Sequence, residues 1–152
     1  MSVPGKRIQI VKLLKDRLKE IRKSNYYRTD IGNNVLEWVV TQLGSYELPA
    51  IIIRDLSAEN ISTASVGPYD KTRWRLNLVI SVTTYGDSCV KECREAMQDV
   101  YQCIGKDDTI NGNALMIQVV RDSIVVEQNE DKVCTGTIEL EVLFETQTWS
   151  DQ

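Results

Sequence analysis

The chain of 152 residues contains no histidine. That removes every histidine triad, histidine general base and histidine metal ligand from consideration. Its eight glycines are scattered. None forms the GxGxxG or GxxxxGKS loops that cradle phosphates, and no GxSxG nucleophile elbow occurs. Long apolar runs are also missing: the longest are four residues, as at Ala50–Ile53, against the roughly 20 needed to cross a bilayer. Basic residues near the N-terminus are followed by no apolar stretch, so no secretory signal is expected. Cysteine is sparse: Cys89, Cys93, Cys103 and Cys134. Cys89 and Cys93 stand four apart on a predicted helix, but no second pair completes a zinc site. Reduced thiols in a small core are expected, with no metal and no cofactor. Asp107–Asp108 falls in a polar turn, and Glu139, Glu141 and Glu145 share the polar parity of a strand; both read as solvated acidic surface. Nothing here points to an enzyme.

What is present is an ordinary globular composition, 42% apolar and 26% charged, expected to fold as one domain. A chain of this length buries roughly 68–70% of its unfolded surface, enough for a core that stands alone. The pattern centres on Arg73–Tyr85. Trp74, Leu76, Leu78, Ile80 and Val82 fall on one parity; Arg73, Arg75, Asn77, Ser81 and Thr83 fall on the other, with Val79 the one breach. Period two predicts a strand with one packed face. Gly136–Trp149 repeats the pattern, with Ile138, Leu140, Val142 and Phe144 inward and Leu143 the breach. Paired antiparallel, the two strands would set Arg73 and Arg75 against glutamates, at roughly 0.2–1 kcal/mol per pair.

Around this pair the other elements fall in order. Ile8–Ile21 predicts an amphipathic helix on Ile10, Leu14, Leu18 and Ile21, with Pro4 before it and Lys19, Arg22 and Lys23 at its negative end. Ser24–Gly32 is polar and turn-like. Val35, Trp38, Val39 and Leu43 follow helical spacing, predicting a short helix or an irregular extended piece. Ala50–Leu56 reads as a buried strand. Ser57–Thr72 has no periodicity and predicts a projecting hairpin arm or loop, which carries Ile61, Val66 and Tyr69. Asp87 or Ser88 suits the cap of a helix carried by Val90, Cys93, Met97, Val100, Tyr101 and Ile104 and stopped at Gly105. Leu115–Val120 and Ile124–Gln128 are two strands, or one bent near Asp122. Trp149, near the end, suits a docked tail or an interface anchor. The expected fold class is α+β: a mainly antiparallel sheet of four to five strands with two main helices packed on one face.

Charge is unevenly spread. Residues 1–23 hold eight basic and two acidic residues, a net +6, while the remainder holds ten basic and twenty acidic, a net −10. Lys15, Lys19 and Lys23 therefore mark a basic helix on an acidic body, either a solvated face or a docking surface for an acidic partner. A nucleic-acid-binding module is the competing reading, weakened by the acidic body and by the absence of aromatics among these lysines.

The segment Tyr27–Val35, YRTDIGNNV, follows a basic helix. After it come AIIIRDL, a variable loop, WRLNLVISVTTYG, a helix and a closing strand pair. In this order of elements, over about residues 7–147, the chain resembles the tail terminator (minor tail protein) family of long-tailed bacteriophages. The resemblance implies a non-enzymatic virion protein that assembles as a homo-hexameric ring on the last ring of the tail tube. Such a ring ends tube polymerisation at the length set by the tape-measure protein and offers a surface for head-tail joining. It implies as partners the tail tube protein, a head-tail connector or completion protein and the tape-measure protein, with no membrane. It places the protein at the head-proximal end of the phage tail, and in the host cytoplasm during assembly. The arm at 57–72 would reach a neighbouring subunit. An acidic strand of Glu139, Glu141 and Glu145 facing the lumen would let DNA pass without specific binding. Another head-tail connector, neck or baseplate subunit fits the same order of elements.

Overall fold

In the computed structural model, residues 5–39, 43, 47–64, 71–128 and 131–147 are described, without the side chains of 62–64. Helix α1 (Lys6–Leu18) is followed by two short 3-10 turns, Lys23–Asn25 and Ile31–Asn33. Then come β1 (Val35–Glu37), β2 (Ala50–Ala64), β3 (Lys71–Tyr85), α2 (Cys89–Gly105), β4 (Met116–Gln128) and β5 (Lys132–Gln147). The five strands form one sheet in the order β1-β2-β3-β5-β4. Only β1 runs parallel to its neighbour; β2–β3, β3–β5 and β4–β5 are antiparallel. The class is α+β, as the element pattern predicts.

The two long strands pair as expected. Trp74 faces Phe144, Leu76 faces Val142, Leu78 faces Leu140 and Ile80 faces Ile138. These side chains point at the helices, and all but the partly buried Trp74 are closed to solvent. Burying each Leu, Ile or Phe in this row contributes about 1.5–3 kcal/mol. α1 adds Ile10, Val11, Leu14 and Leu18 to the same core. α2 adds Cys89, Cys93, Ala96, Met97, Val100, Cys103 and Ile104. Gly136 marks the closest helix–sheet approach: a Cβ there would lie 2.4 Å from the Met97 sulfur and 2.8 Å from that of Cys93. All four cysteines are buried free thiols. Burial pushes the Cys93 thiol up to about 12 and raises those of Cys103 and Cys134. Inert core thiols fit this environment.

At three places the structure selects among open alternatives. Residues 35–37 take the extended one as a strand, β1: the Val35 side chain is buried, Trp38 is half exposed, and the Trp38 N–H donates to the Ile53 carbonyl at 3.1 Å. The strand begun at Ala50 does not end at Leu56 but continues to Ala64 as one side of a hairpin with β3, through register shifts at Asp55/Ala58 and Asn60/Ser62. β4 is a single strand, irregular between Val119 and Arg121, close to Asp122. Ser88 occupies the cap position of α2 without a side-chain capping bond. Pro4, Val66, Tyr69 and Trp149, all named in the sequence reading, lie outside the described residues.

Candidate functional site

Buried polar chemistry first appears where the chain leaves α1. Asp99, on α2, is fully buried. Its carboxylate accepts the Arg28 N–H at 3.1 Å, the Thr29 N–H at 2.8 Å and the Thr29 hydroxyl at 2.7 Å. Gly32 then passes so close to the end of α1 that a Cβ would stand 2.5 Å from the Leu18 carbonyl oxygen. Its N–H donates to Ile21 O at 2.9 Å. Tyr27 and Ile31 are buried, and Asn34 Nδ2 donates to the Glu47 carbonyl at 2.6 Å. The YRTDIGNNV segment is thus a clasp between α1, α2 and the sheet. A carboxylate holding three donors is a satisfied structural group.

Among the described residues, no group of three or more cysteine, aspartate or glutamate side chains is placed to hold a metal ion. No helix among them is long and apolar enough to cross a membrane. A concavity of about 900 Å³ is an open groove beside the start of α2. Lys23, Arg28 and Lys91 line it with Asp30, Glu92 and Glu95, so its charges are mixed.

What remains is surface. The sheet face away from the helices carries ion pairs. Arg73 Nε lies 2.8 Å from Glu145, and Arg121 Nε 2.6 Å from Glu139. Arg75 spans Glu141 at 3.8 Å and Glu59 at 3.7 Å. Register puts Arg54, Lys71, Arg73, Arg75 and Arg121 on this face with Glu59, Glu127, Glu139, Glu141 and Glu145. Five charges of each sign make the face neutral. The glutamates expected to form an acidic wall are each matched by an arginine on a neighbouring strand.

The basic helix is also partly spoken for. Arg7 Nε donates to Asp55 at 2.7 Å. Burial works to raise the Asp55 carboxyl, but hydrogen bonds from Trp38 and Arg7 outweigh it and hold the group below its usual range. Arg17 reaches Asp107 at 3.4 Å, and Lys15 stands 3.7 Å from Glu37. Lys19 and Lys23 are exposed at the end of the helix. So of the three lysines singled out, Lys19 and Lys23 face solvent together and Lys15 leans on β1.

The feature that sequence reasoning missed is the exposure of β4. This strand forms one edge of the sheet, with β5 its only strand neighbour among the described residues. Nearly all of it is exposed on both faces. Val119, Val120, Ile124, Val125 and Val126 are 38–55% exposed. The register turns Val119, Ile124 and Val126 to the helix side and Val125 to the other. Charges at Arg121 and Asp122 and the irregularity at Val120 blunt this edge only at its centre. On the opposite flank, Leu56 and Ile61 of β2 are exposed as well. Of the arm residues named from sequence, Ile61 is therefore at the surface of a strand rather than a loop.

Neither models of known protein families nor curated proteins match this chain at a significant level.

Proposed function

We propose that this protein is a structural ring subunit, a tail terminator that caps a bacteriophage tail tube, ends its polymerisation and forms the surface for head-tail joining. The observation that carries the ring is β4: a 13-residue edge strand with apolar side chains exposed on both faces. Such an edge is an aggregation hazard unless another chain completes it. We assign that role to a second copy. A ring needs two different surfaces on one subunit, joined head to tail. The sheet offers two opposed flanks, β4 and the β2–β3 arm bearing Leu56 and Ile61. The assignment of the ring to a tail end rests on the resemblance in element order, centred on YRTDIGNNV.

In this reading the assembly is a homo-hexamer, and its partners are the tail tube protein, a head-tail completion protein and the tape-measure protein. It acts in the virion at the head-proximal end of the tail. Lys19 and Lys23 dock an acidic surface of one partner. The sheet face bearing Glu139, Glu141 and Glu145 lines the lumen, where balanced charge gives DNA no cationic track to bind.

Capping tests the reading. Purified tail tubes incubated with the protein should carry one ring at a single end in negative-stain images, and should stop elongating when tube subunits are added. Lys19→Glu with Lys23→Glu should block joining of heads while leaving the unfolding midpoint unchanged. Rings that form but ignore tube ends would favour another neck or baseplate subunit. A salt-dependent mobility shift with DNA would favour the nucleic-acid module instead.

A further inference from the structure

Tyr26 stands apart from every other aromatic residue described. It is 95% exposed, so it packs against almost nothing. Its backbone is left-handed, φ 69° and ψ 23°, where it ends the Lys23–Asn25 turn. Glycine or asparagine suits that position; a bulky side chain there is strained. The turn is also firmly built. Tyr26 N–H donates to Lys23 O at 3.1 Å and Tyr27 N–H to Arg22 O at 3.4 Å. Lys23 N–H donates to the Asp30 carboxylate at 2.8 Å, and Asn25 Nδ2 to Glu20 O at 2.9 Å. A strained residue that gains no packing, held on a rigid turn, is the pattern of a side chain kept for contact with something else.

Its surroundings define what that is. Lys19, Arg22, Lys23 and Arg28 are exposed within seven residues of it along the chain. Lys106 sits 4.6 Å over the ring of the adjacent, buried Tyr27. Of the nearby carboxylates, Asp30 accepts the Lys23 N–H and Glu20 is exposed, against four exposed basic side chains. We propose that Tyr26 is a docking knob that packs against apolar side chains of a protein partner, with the basic collar meeting carboxylates that flank them. A preformed tyrosine with a charged rim is the usual make-up of an interface hot spot. Single-stranded nucleic acid fits less well, because it takes a series of stacking platforms, and Tyr26 is the one aromatic more than half exposed among the described residues. The knob extends the docking surface assigned to Lys19 and Lys23. It does not depend on the ring, since a monomer would carry it unchanged.

The test uses the full chain, labelled with 15N, and two probes: a synthetic peptide alternating glutamate pairs with leucine, and a 20-nucleotide oligo-dT. The peptide should shift the amide resonances of residues 22–28. Tyr26→Ala should weaken its binding about tenfold or more, and Tyr26→Phe should retain it. Tyr26→Gly should raise the urea midpoint while losing binding, separating the knob from any structural role. Oligo-dT shifting these amides in place of the peptide would overturn the proposal. So would no shift with either probe, or binding that survives Tyr26→Ala.

Discussion

A methyl group added at Gly32 would meet backbone, with the Leu18 and Ile21 carbonyl oxygens 2.5 and 2.7 Å away. Backbone at a helix end cannot step aside as a side chain can. Gly32→Ala is therefore expected to cost about 1–3 kcal/mol or more, read as a lower urea midpoint at unchanged slope. Asp107 gives a residue-scale pH dependence. Hydrogen bonds from the Thr109 hydroxyl and from the Asn111 and Thr109 amides lower its carboxyl to about 2, with Arg17 adding to them. A depressed carboxyl stabilises the fold above its unfolded value of 3.8, and that contribution is lost as pH falls towards about 2. Asp107→Asn should thus be less stable than the parent at pH 7, and the gap should close by about pH 2. A gap independent of pH would contradict the assignment. The thiols offer a third check. With Cys93 raised to about 12 by burial, folded protein at pH 8 should react slowly with a thiol reagent, and all four cysteines should react once urea unfolds it. None of the hydrogen-bond geometry at Gly32 or Asp107 was legible in the sequence, where both positions read only as turns; close approach and side-chain nests are three-dimensional facts.

At the scale of elements, legibility followed burial. β3 and β5 have one packed and one paired face, so their alternation announced both strands and even the set of Arg73 against Glu145. β1 was legible only as a short helix or an irregular extended piece, because three residues are too few to show a period, and Val35, Trp38 and Val39 mimic helical spacing by chance. The outer part of β2 was legible only as a hairpin arm or loop because it carries no apolar row; β3 holds it by backbone pairing, by the Arg75–Glu59 ion pair and by the hydrogen bond from Asn77 to Ser57. β4 was legible as strand, but not the exposure of its valines, which depends on what lies over each face. Asp99 could have been found: a carboxylate beside Ala96, Val100 and Cys103 on the buried stripe of α2 signals a buried acceptor. Asp99→Ala should cost about 2 kcal/mol by leaving the Arg28 and Thr29 donors unpaired, measured by urea unfolding. For β4 the opposite balance is expected. Ile124→Lys with Val125→Lys places a charge on each exposed face, should change stability by no more than about 0.5 kcal/mol per site, and should abolish self-association.

For the whole molecule, composition set the class and charge suggested the partners, yet the distribution of charge had to be seen in register. The excess of acid read from β5 alone disappears once the arginines of β2, β3 and β4 are placed on the same face. Similarly, three of the basic residues near the N-terminus tie α1 to the body, at Asp55, Glu37 and Asp107. The basic surface left free for the proposed docking is smaller than the +6 segment implied, and lies at the end of α1. What unites the molecule is an incomplete sheet, with one flank ending in exposed valines and the other in the arm. Its solution mass tests this most directly, measured by sedimentation across concentration and salt for the parent chain and for the Ile124→Lys/Val125→Lys variant. The account predicts a parent species near six times 17.3 kDa, seen as a ring in negative stain, or a monomer that assembles into such a ring when tail tubes are added; the variant should stay monomeric in both settings. A parent chain that remains monomeric at every concentration and in the presence of tubes, or a variant that assembles as the parent does, would contradict it.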